Sequence, residues 1–340
     1  MSEPSLHYPF ADAPAAGHTC EVAPGVRWLR MPMPFPPGHI NLWLLEDDGR
    51  WAIVDSGLAT ADTRALWARL LADYRPSRLI CTHFHHDHAG LAGELTREYA
   101  IPFSMSPPEW AELMRLARQH SGDDAASRAF FLHHGLPAAT LTAAIAAFSD
   151  EGFAGAPPDA YHALFAGDTL QIGGASWQVL VGEGHSPGHV LLYCAEKSVL
   201  IAGDQLLPKI TPSVGLNAGN AAGDPLDGWL ASMRALQGLP ADTLVLPSHQ
   251  LPFVGAGVRA AQIIAYHEAQ LTRLRTLAAD TPGCAHALAR ALFTRLTGAV
   301  SELMAVSETL AHLRYLETRG QCLHETGADG VERWQAHAPA

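Results

Sequence analysis

Within the stretch Thr82-His83-Phe84-His85-His86-Asp87-His88-Ala89-Gly90, three histidines and an aspartate fall in the order H-x-H-x-D-H, directly after the apolar run Leu79-Ile80-Cys81. A strand ending there delivers its next side chains into a tight loop. His83 and His85 then reach one metal ion, while Asp87 and His88 reach a second. Imidazole nitrogens mixed with carboxylate oxygens suit zinc, iron or manganese, and such sets build hydrolytic sites. One loop supplies too few ligands for two ions, so others must come from elsewhere. Ligand-type residues do recur after later apolar runs. Val179-Leu180-Val181 leads into Gly182-Glu183-Gly184-His185-Ser186-Pro187-Gly188-His189, Val199-Leu200-Ile201-Ala202 into Gly203-Asp204, and Thr243-Leu244-Val245-Leu246 into Pro247-Ser248-His249. Each is an apolar strand, a small or turn residue, then a ligand-type side chain. Glycine beside a ligand lets the backbone approach an ion without a Cβ clash. A single such segment is a compositional hint; their recurrence in order along one chain points to a metal centre.

This pattern resembles the metallo-β-lactamase superfamily of metallohydrolases, from about Val26 to Val254, with Ala52-Ile53-Val54-Asp55-Ser56-Gly57 matching the opening motif. The resemblance implies one metal held by His83, His85 and His185 and a second by Asp87, His88 and His249, with Asp204 bridging the pair. It places Asp55 behind the ligands as a support. His189, the second histidine of the G-H-x-x-G-H segment, is expected to back the ligands or face the substrate. His86 has no place in the pattern.

Two such ions define the chemistry. A single zinc already lowers the pKa of a bound water to about 7, so a hydroxide shared by two metals is a nucleophile at neutral pH. One ion polarises a carbonyl or phosphoryl oxygen and the other stabilises the leaving atom. Asp87 is expected to orient the hydroxide and pass its proton on as the catalytic carboxylate. Other chemistries are not expected: the chain has no P-loop, and Gly184-His185-Ser186-Pro187-Gly188, though it spells G-x-S-x-G, lies inside a ligand segment. Gly255-Ala256-Gly257-Val258-Arg259-Ala260 fits a dinucleotide fingerprint. It follows a ligand loop and not the first strand of a βαβ unit, so it reads as a turn into a helix.

The elements that must position these residues can be read around them. A hairpin is expected from Asn41–Leu45 and Trp51–Val54 across Asp47-Asp48-Gly49, then an amphipathic helix over Thr63–Tyr74 and a strand over Arg78–Cys81. Strands alternating with helices around terminal ligand loops fit an α/β chain, and the family resemblance implies the αββα sandwich of two sheets covered by helices. Between Ser104 and Ala166 lies an insertion of roughly 60 residues, long enough to need helices of its own. Pro107-Pro108-Glu109 starts one, with Trp110, Leu113, Met114 and Ala117 spaced for one apolar face. The insertion also holds His120, His133 and His134, read as surface or capping residues with a substrate entrance as the alternative. It is expected to fold over the metal centre and select the substrate. From Gly257 on, helices over Ala260–Ala279, Ala285–Leu296 and Ser301–Arg319 precede strands Gln321–His324 and Val331–Trp334. That order resembles the winged-helix extension of one superfamily branch. The expected domains are a catalytic one over 1–256, including the insertion at about 104–166, and a small α+β one over 257–340.

At 340 residues and 48% hydrophobic content the chain can bury a full core. No run of about 18 apolar residues suggests a membrane span, and Met1-Ser2-Glu3-Pro4 shows no signal peptide. Cys20, Cys81, Cys194, Cys284 and Cys322 have no C-x-x-C spacing and read as reduced structural thiols. A cytoplasmic enzyme is expected. The net charge is −12, and residues 257–340 hold eight arginines against eight acids, so the excess is in the first part. A nuclease needs a positive track for phosphates. On the last helix Arg314 and Arg319 are matched by Glu302, Glu308 and Glu317, which reads as a solvated face. A nucleic-acid partner is therefore disfavoured, and the extension reads as a packing or homodimer-forming module. The leading substrate is a small-molecule thioester or ester, because Gly184-His185-Ser186-Pro187-Gly188-His189 and Gly203-Asp204 are similar to the corresponding segments of glyoxalase II enzymes. The glutathione-contacting basic residues of those enzymes do not map cleanly here, so glutathione, coenzyme A and other acyl carriers stay open. The alternative is a phosphodiesterase or endoribonuclease acting on single-stranded RNA. Of metals, zinc is expected first, with iron and manganese open.

Overall fold

The turn Asp48-Gly49 shows how local sequence sets the first sheet. Both residues take left-handed backbone angles, φ 53° and 78°, as a two-residue hairpin turn requires. They pair β3 (His39–Asp47) with β4 (Arg50–Val54) in the register Asp47↔Arg50 and Trp43↔Val54. In this computed structural model, which describes residues 5–118, 125–149 and 154–337, the hairpin continues into a seven-stranded sheet. Its order is β1 (Thr19–Ala23), β2 (Val26–Pro32), β3, β4, β5 (Pro76–Ile80), β6 (Phe103–Met105) and β7 (His162–Ala163). The first four strands are antiparallel and the pairs from β4 onward are parallel.

Strand β3 is buried along its whole length except at Glu46, with a continuous apolar run from Leu42 to Leu45, because both of its faces are covered. Leu42 and Leu44 pack with Trp67, Leu70 and Leu71 of α1 (Ala61–Asp73). Trp43 and Leu45 pack against the second sheet, where Trp177, Val179, Val190, Leu192, Ile201 and Leu246 meet them. Helix α1 starts two residues before its expected position because Thr60 caps it, accepting from Thr63 N–H at 3.2 Å. The second sheet has the order β13 (Phe253–Val254), β12 (Leu244–Pro247), β11 (Val199–Gly203), β10 (His189–Cys194), β9 (Ala175–Gly182) and β8 (Thr169–Ile172). Strands β9, β11 and β12 run in one direction, since β9 and β11 are each antiparallel to β10 and β11 is parallel to β12. Their C-terminal ends therefore lie along one edge. The α/β fold of two sheets with covering helices is as expected.

The remaining helices are α2 (His86–Ala89), α3 (Ala92–Tyr99), α4 (Pro107–Arg118), α5 (Ala125–His133), α6 (Ala138–Ser149), α7 (Pro225–Leu236), α8 (Ala256–Asp280), α9 (Ala285–Leu292) and α10 (Ala299–Thr318). They precede the hairpin β14 (Cys322–Thr326) and β15 (Glu332–Ala336), paired Cys322↔Ala336 to Thr326↔Glu332. On α4 the buried residues are Leu113 and Glu109, while Ala117 is exposed, so the expected apolar face is only partly used. The fingerprint-like Gly255 is a turn at φ 117° leading into α8.

The chain forms two compact units that interleave in sequence. One comprises 1–118, 152–212 and 234–261, and the other 119–151, 213–233 and 262–340. Helix α4 of the insertion belongs to the first unit, whereas α5 and α6 belong with the C-terminal helices and hairpin. Within that second unit His134 Nδ1 lies 3.1 Å from Glu332 Oε1, and His133 Nδ1–H donates to Gly330 O at 2.8 Å. His133 and His134 thus serve β15 and the turn before it; His120 lies outside the described residues. Glu308 departs from the solvated face read for α10: it is half-buried beside His312 and His267. Among the described residues no helix is long and apolar enough to cross a membrane.

Candidate metal centre

Asp55, directly after β4, takes a left-handed φ of 66° that a non-glycine residue adopts only when its surroundings hold it there. Its carboxylate accepts Thr82 N–H at 2.7 Å, Thr82 Oγ1–H at 2.9 Å and His88 Nδ1–H at 2.8 Å. These bonds tie the end of β4 to the loop leaving β5. They also fix His88, whose Nδ1 carries the proton so that Nε2 points inward. His83 Nδ1 lies 3.1 Å from Thr82 Oγ1. The hydroxyl gives its proton to Asp55, so it accepts from His83 and leaves His83 Nε2 as a lone pair, 2.8 Å from His85 Nδ1.

The later loops are held as firmly. Gly203 ends β11 at φ 54°, and a side chain there would run into the ring of His189. His189 Nε2 accepts the Asp204 N–H at 3.1 Å while its ring stacks on His83 at 4.6 Å. It braces both Asp204 and His83. The loop after β12 is clamped from the first sheet. Asn41 Nδ2 donates to Pro247 O at 2.9 Å and Gln250 O at 2.8 Å. His39 O accepts from His249 Nδ1 at 2.9 Å, and His39 Nε2 accepts Gln250 N–H at 2.8 Å. His249 Nε2 consequently faces inward.

Seven side chains meet in two groups. In one, His83, His85, His185 and Asp204 each offer a ligand atom within 4.8 Å of the others; in the other, Asp87, His88 and His249 do the same. Asp204 joins them: Oδ2 lies 3.5 Å from His185 Nε2 and 3.6 Å from His88 Nε2, and Oδ1 lies 3.4 Å from His249 Nε2. Asp87 Oδ2 is 3.4 Å from His249 Nε2 and 3.6 Å from His88 Nε2. Donors around one tetrahedral zinc, at bonds of about 2.0–2.2 Å, stand roughly 3.3–3.5 Å apart, which is the spacing observed at this junction. His88 Nε2 and Asp204 Oδ1 are buried without a hydrogen-bond partner, as atoms that coordinate a cation would be. His86 is exposed and joins neither group.

The electrostatics agree with a cation. Burial, reinforced by the neighbouring imidazoles, keeps His83 and His85 neutral, with His85 lowered to about 3. Burial also opposes charge on His88 and His249, yet the acids around them outweigh it. Asp87, Asp55 and Asp204 hold His88 well above its ordinary value, and Asp204 and Asp87 raise His249 to about 10. The pocket favours positive charge at the Asp87–Asp204 junction, and divalent ions supply it without protons. The arrangement is consistent with a divalent metal site.

Three supporting residues escaped the sequence reading. His39 and Asn41 carry no local signal, because their partners lie more than 200 positions away. Glu109, fully buried in the first turn of α4, accepts from Phe84 N–H at 3.0 Å, Ser186 Oγ–H at 2.6 Å and Gly188 N–H at 2.7 Å. It joins the His83–His85 loop to the His185–His189 loop, and burial pushes its carboxyl up to about 7 against those donors. Its one signal was an acid four residues before the buried Leu113, on the same helix face.

Support from behind has a measurable value. Asp55→Asn keeps the shape but turns one acceptor oxygen into a donor. Metal affinity is expected to fall about 10–100-fold, the usual cost of losing such a partner. Competition against a calibrated chelator measures it, and an unchanged affinity contradicts the role given to Asp55.

The family described as the metallo-beta-lactamase superfamily matches residues 35–249, and a metallo-beta-lactamase-like C-terminal domain matches 271–337. The crystal structure of a beta-lactamase domain protein from Burkholderia ambifaria is 38% identical with a TM-score of 0.90, covering 98% of each chain. A probable metallo-hydrolase, YqjP, of Bacillus subtilis (strain 168) is 26% identical over 85% of this chain and 91% of its own. A hydroxyacylglutathione hydrolase of Nitrosomonas eutropha is 25% identical over 69% of each.

Proposed function

The chain belongs to the metallo-β-lactamase superfamily and is a metallohydrolase, and on that premise we propose that it is a dinuclear enzyme hydrolysing a thioester or ester of a small acyl compound. His83, His85 and His185 would hold one ion and Asp87, His88 and His249 the other, with Asp204 shared; zinc is the first choice, and iron or manganese also suit these donors. Such a pair, when bound, supplies water activation at neutral pH and polarisation of an acyl oxygen. The observation that carries the reading is the position of Asp204 between the two groups, at 3.4–3.6 Å from His88, His185 and His249.

The chain's own residues do the rest. Thr82, Asp55, His39 and Glu109 hold the imidazoles in orientation before substrate arrives, so the site needs little rearrangement during reaction. Asp87, whose side chain is 16% exposed against 10% for Asp204, is the carboxylate from which a proton can pass to solvent. The acyl class is supported by charge, since −12 overall repels a polyanion, and by the hydroxyacylglutathione hydrolases among the relatives. A cytoplasmic setting suits the five free cysteines.

A panel of acyl thioesters tests this directly against single-stranded RNA. Thioester hydrolysis that disappears on chelation and returns with zinc is expected, with no RNA cleavage. RNA cleavage that survives repurification and is lost in Asp204→Ala reverses the assignment of substrate.

A further inference from the structure

The second unit contains its own grouping of ligand-type side chains. His267 on α8 and Glu308 and His312 on α10 each place one ligand atom within 4.8 Å of the others. Both rings are fully buried. Glu308 and His312 are one turn apart on the same face of α10. His312 Nδ1 lies 2.8 Å from the Glu308 carbonyl and donates to it, so its Nε2 is a lone pair, 3.1 Å from His267 Nδ1. A histidine that binds a metal is held in this way, with its other N–H on a backbone carbonyl.

No placement of protons satisfies His267. If Nδ1 carries the proton it donates to His312, and the Nε2 lone pair is left buried with no partner. If Nε2 carries it, a buried donor lacks an acceptor and two lone pairs face each other across 3.1 Å. The Glu308 carboxyl is pushed up to about 7 by burial, with no hydrogen bond opposing the shift. Of the three side chains, His267 Nε2 is the buried atom left without a partner.

We infer that His267, Glu308 and His312 bind one divalent cation of the zinc class, which ties α8 to α10. Two imidazoles with a carboxylate suit zinc, whose donors stand roughly 3.3–3.5 Å apart. His267 Nδ1 and His312 Nε2, 3.1 Å apart, are already close to that spacing, and a Glu308 carboxylate oxygen lies within 4.8 Å in the same grouping. Since none of the three residues belongs to the hydrolytic site, the cation's role is to fix the helices of this unit.

Zinc titration of the full-length protein against a chromophoric chelator tests the assignment, with Glu308→Gln and His267→Leu alongside wild type. Each variant is expected to bind one zinc fewer than wild type while hydrolysing the thioester at the wild-type rate. Added zinc is also expected to raise the melting temperature of wild type more than that of either variant. Equal stoichiometry in wild type and Glu308→Gln overturns the proposal. So does loss of an equivalent together with loss of hydrolysis, which places the missing ion elsewhere. Glu308→Gln is nearly isosteric and decides the matter if His267→Leu does not fold.

Discussion

Asp204→Ala is expected to remove hydrolysis, with turnover falling at least about 10²–10³-fold, the scale seen when one preorganised polar group is deleted from an active site. The reason is that a single carboxylate serves both ligand groups. Its oxygens stand 3.4–3.6 Å from His88, His185 and His249. Deleting it takes a ligand from each group and removes one of the two acids that hold His249 charged. The fold is expected to survive, because the Asp204 N–H still donates to His189 and β11 keeps its ladder. Steady-state kinetics with metal analysis and circular dichroism check this. Wild-type turnover in a folded Asp204→Ala protein would mean that the ligand assignment is wrong.

Glu109→Ala is expected to be the most damaging change outside the ligands. It leaves the Phe84 and Gly188 N–H groups and the Ser186 hydroxyl without their acceptor. A buried donor so orphaned costs about 1–3 kcal/mol, and the three share one site, so their sum is an upper bound. The loops carrying His83, His85 and His185 then lose their common anchor. Glu109→Gln keeps one acceptor oxygen and should fall between alanine and wild type. Urea unfolding of the metal-saturated protein gives the stability change, and chelator competition gives the affinity. A positioning role predicts weakened metal retention and lowered kcat with little change in KM. Stability within about 0.5 kcal/mol of wild type, the scatter of surface substitutions, contradicts it.

What the sequence discloses is decided by distance along the chain. His83, His85, Asp87 and His88 share one loop, and His185, Asp204 and His249 each follow an apolar strand. Their residue types and the runs before them are local signals, and the strand directions of β9, β11 and β12 then gather them at one edge. The β3–β4 hairpin was readable for the same reason, since Asp48-Gly49 fixes its register locally. Glu109, His39 and Asn41 were not, because each acts through backbone groups of distant loops whose approach depends on the assembled sheets. Glu308 was misread because a glutamate among arginines on a helix has the pattern of a solvated face. Only the neighbouring His267, 41 positions earlier, reveals that it is half-buried. The grouping of α5 and α6 with α10 was likewise hidden, as packing between separated helices leaves no mark on either one's periodicity.

The most direct measurement is an anomalous difference map from crystals of the metal-loaded protein, collected at the absorption edge of the bound element. The account predicts two peaks in the cage, one touching His83, His85 and His185, the other touching Asp87, His88 and His249, with Asp204 reaching both. A map with no peak there, or with one that Asp204 does not contact, contradicts it.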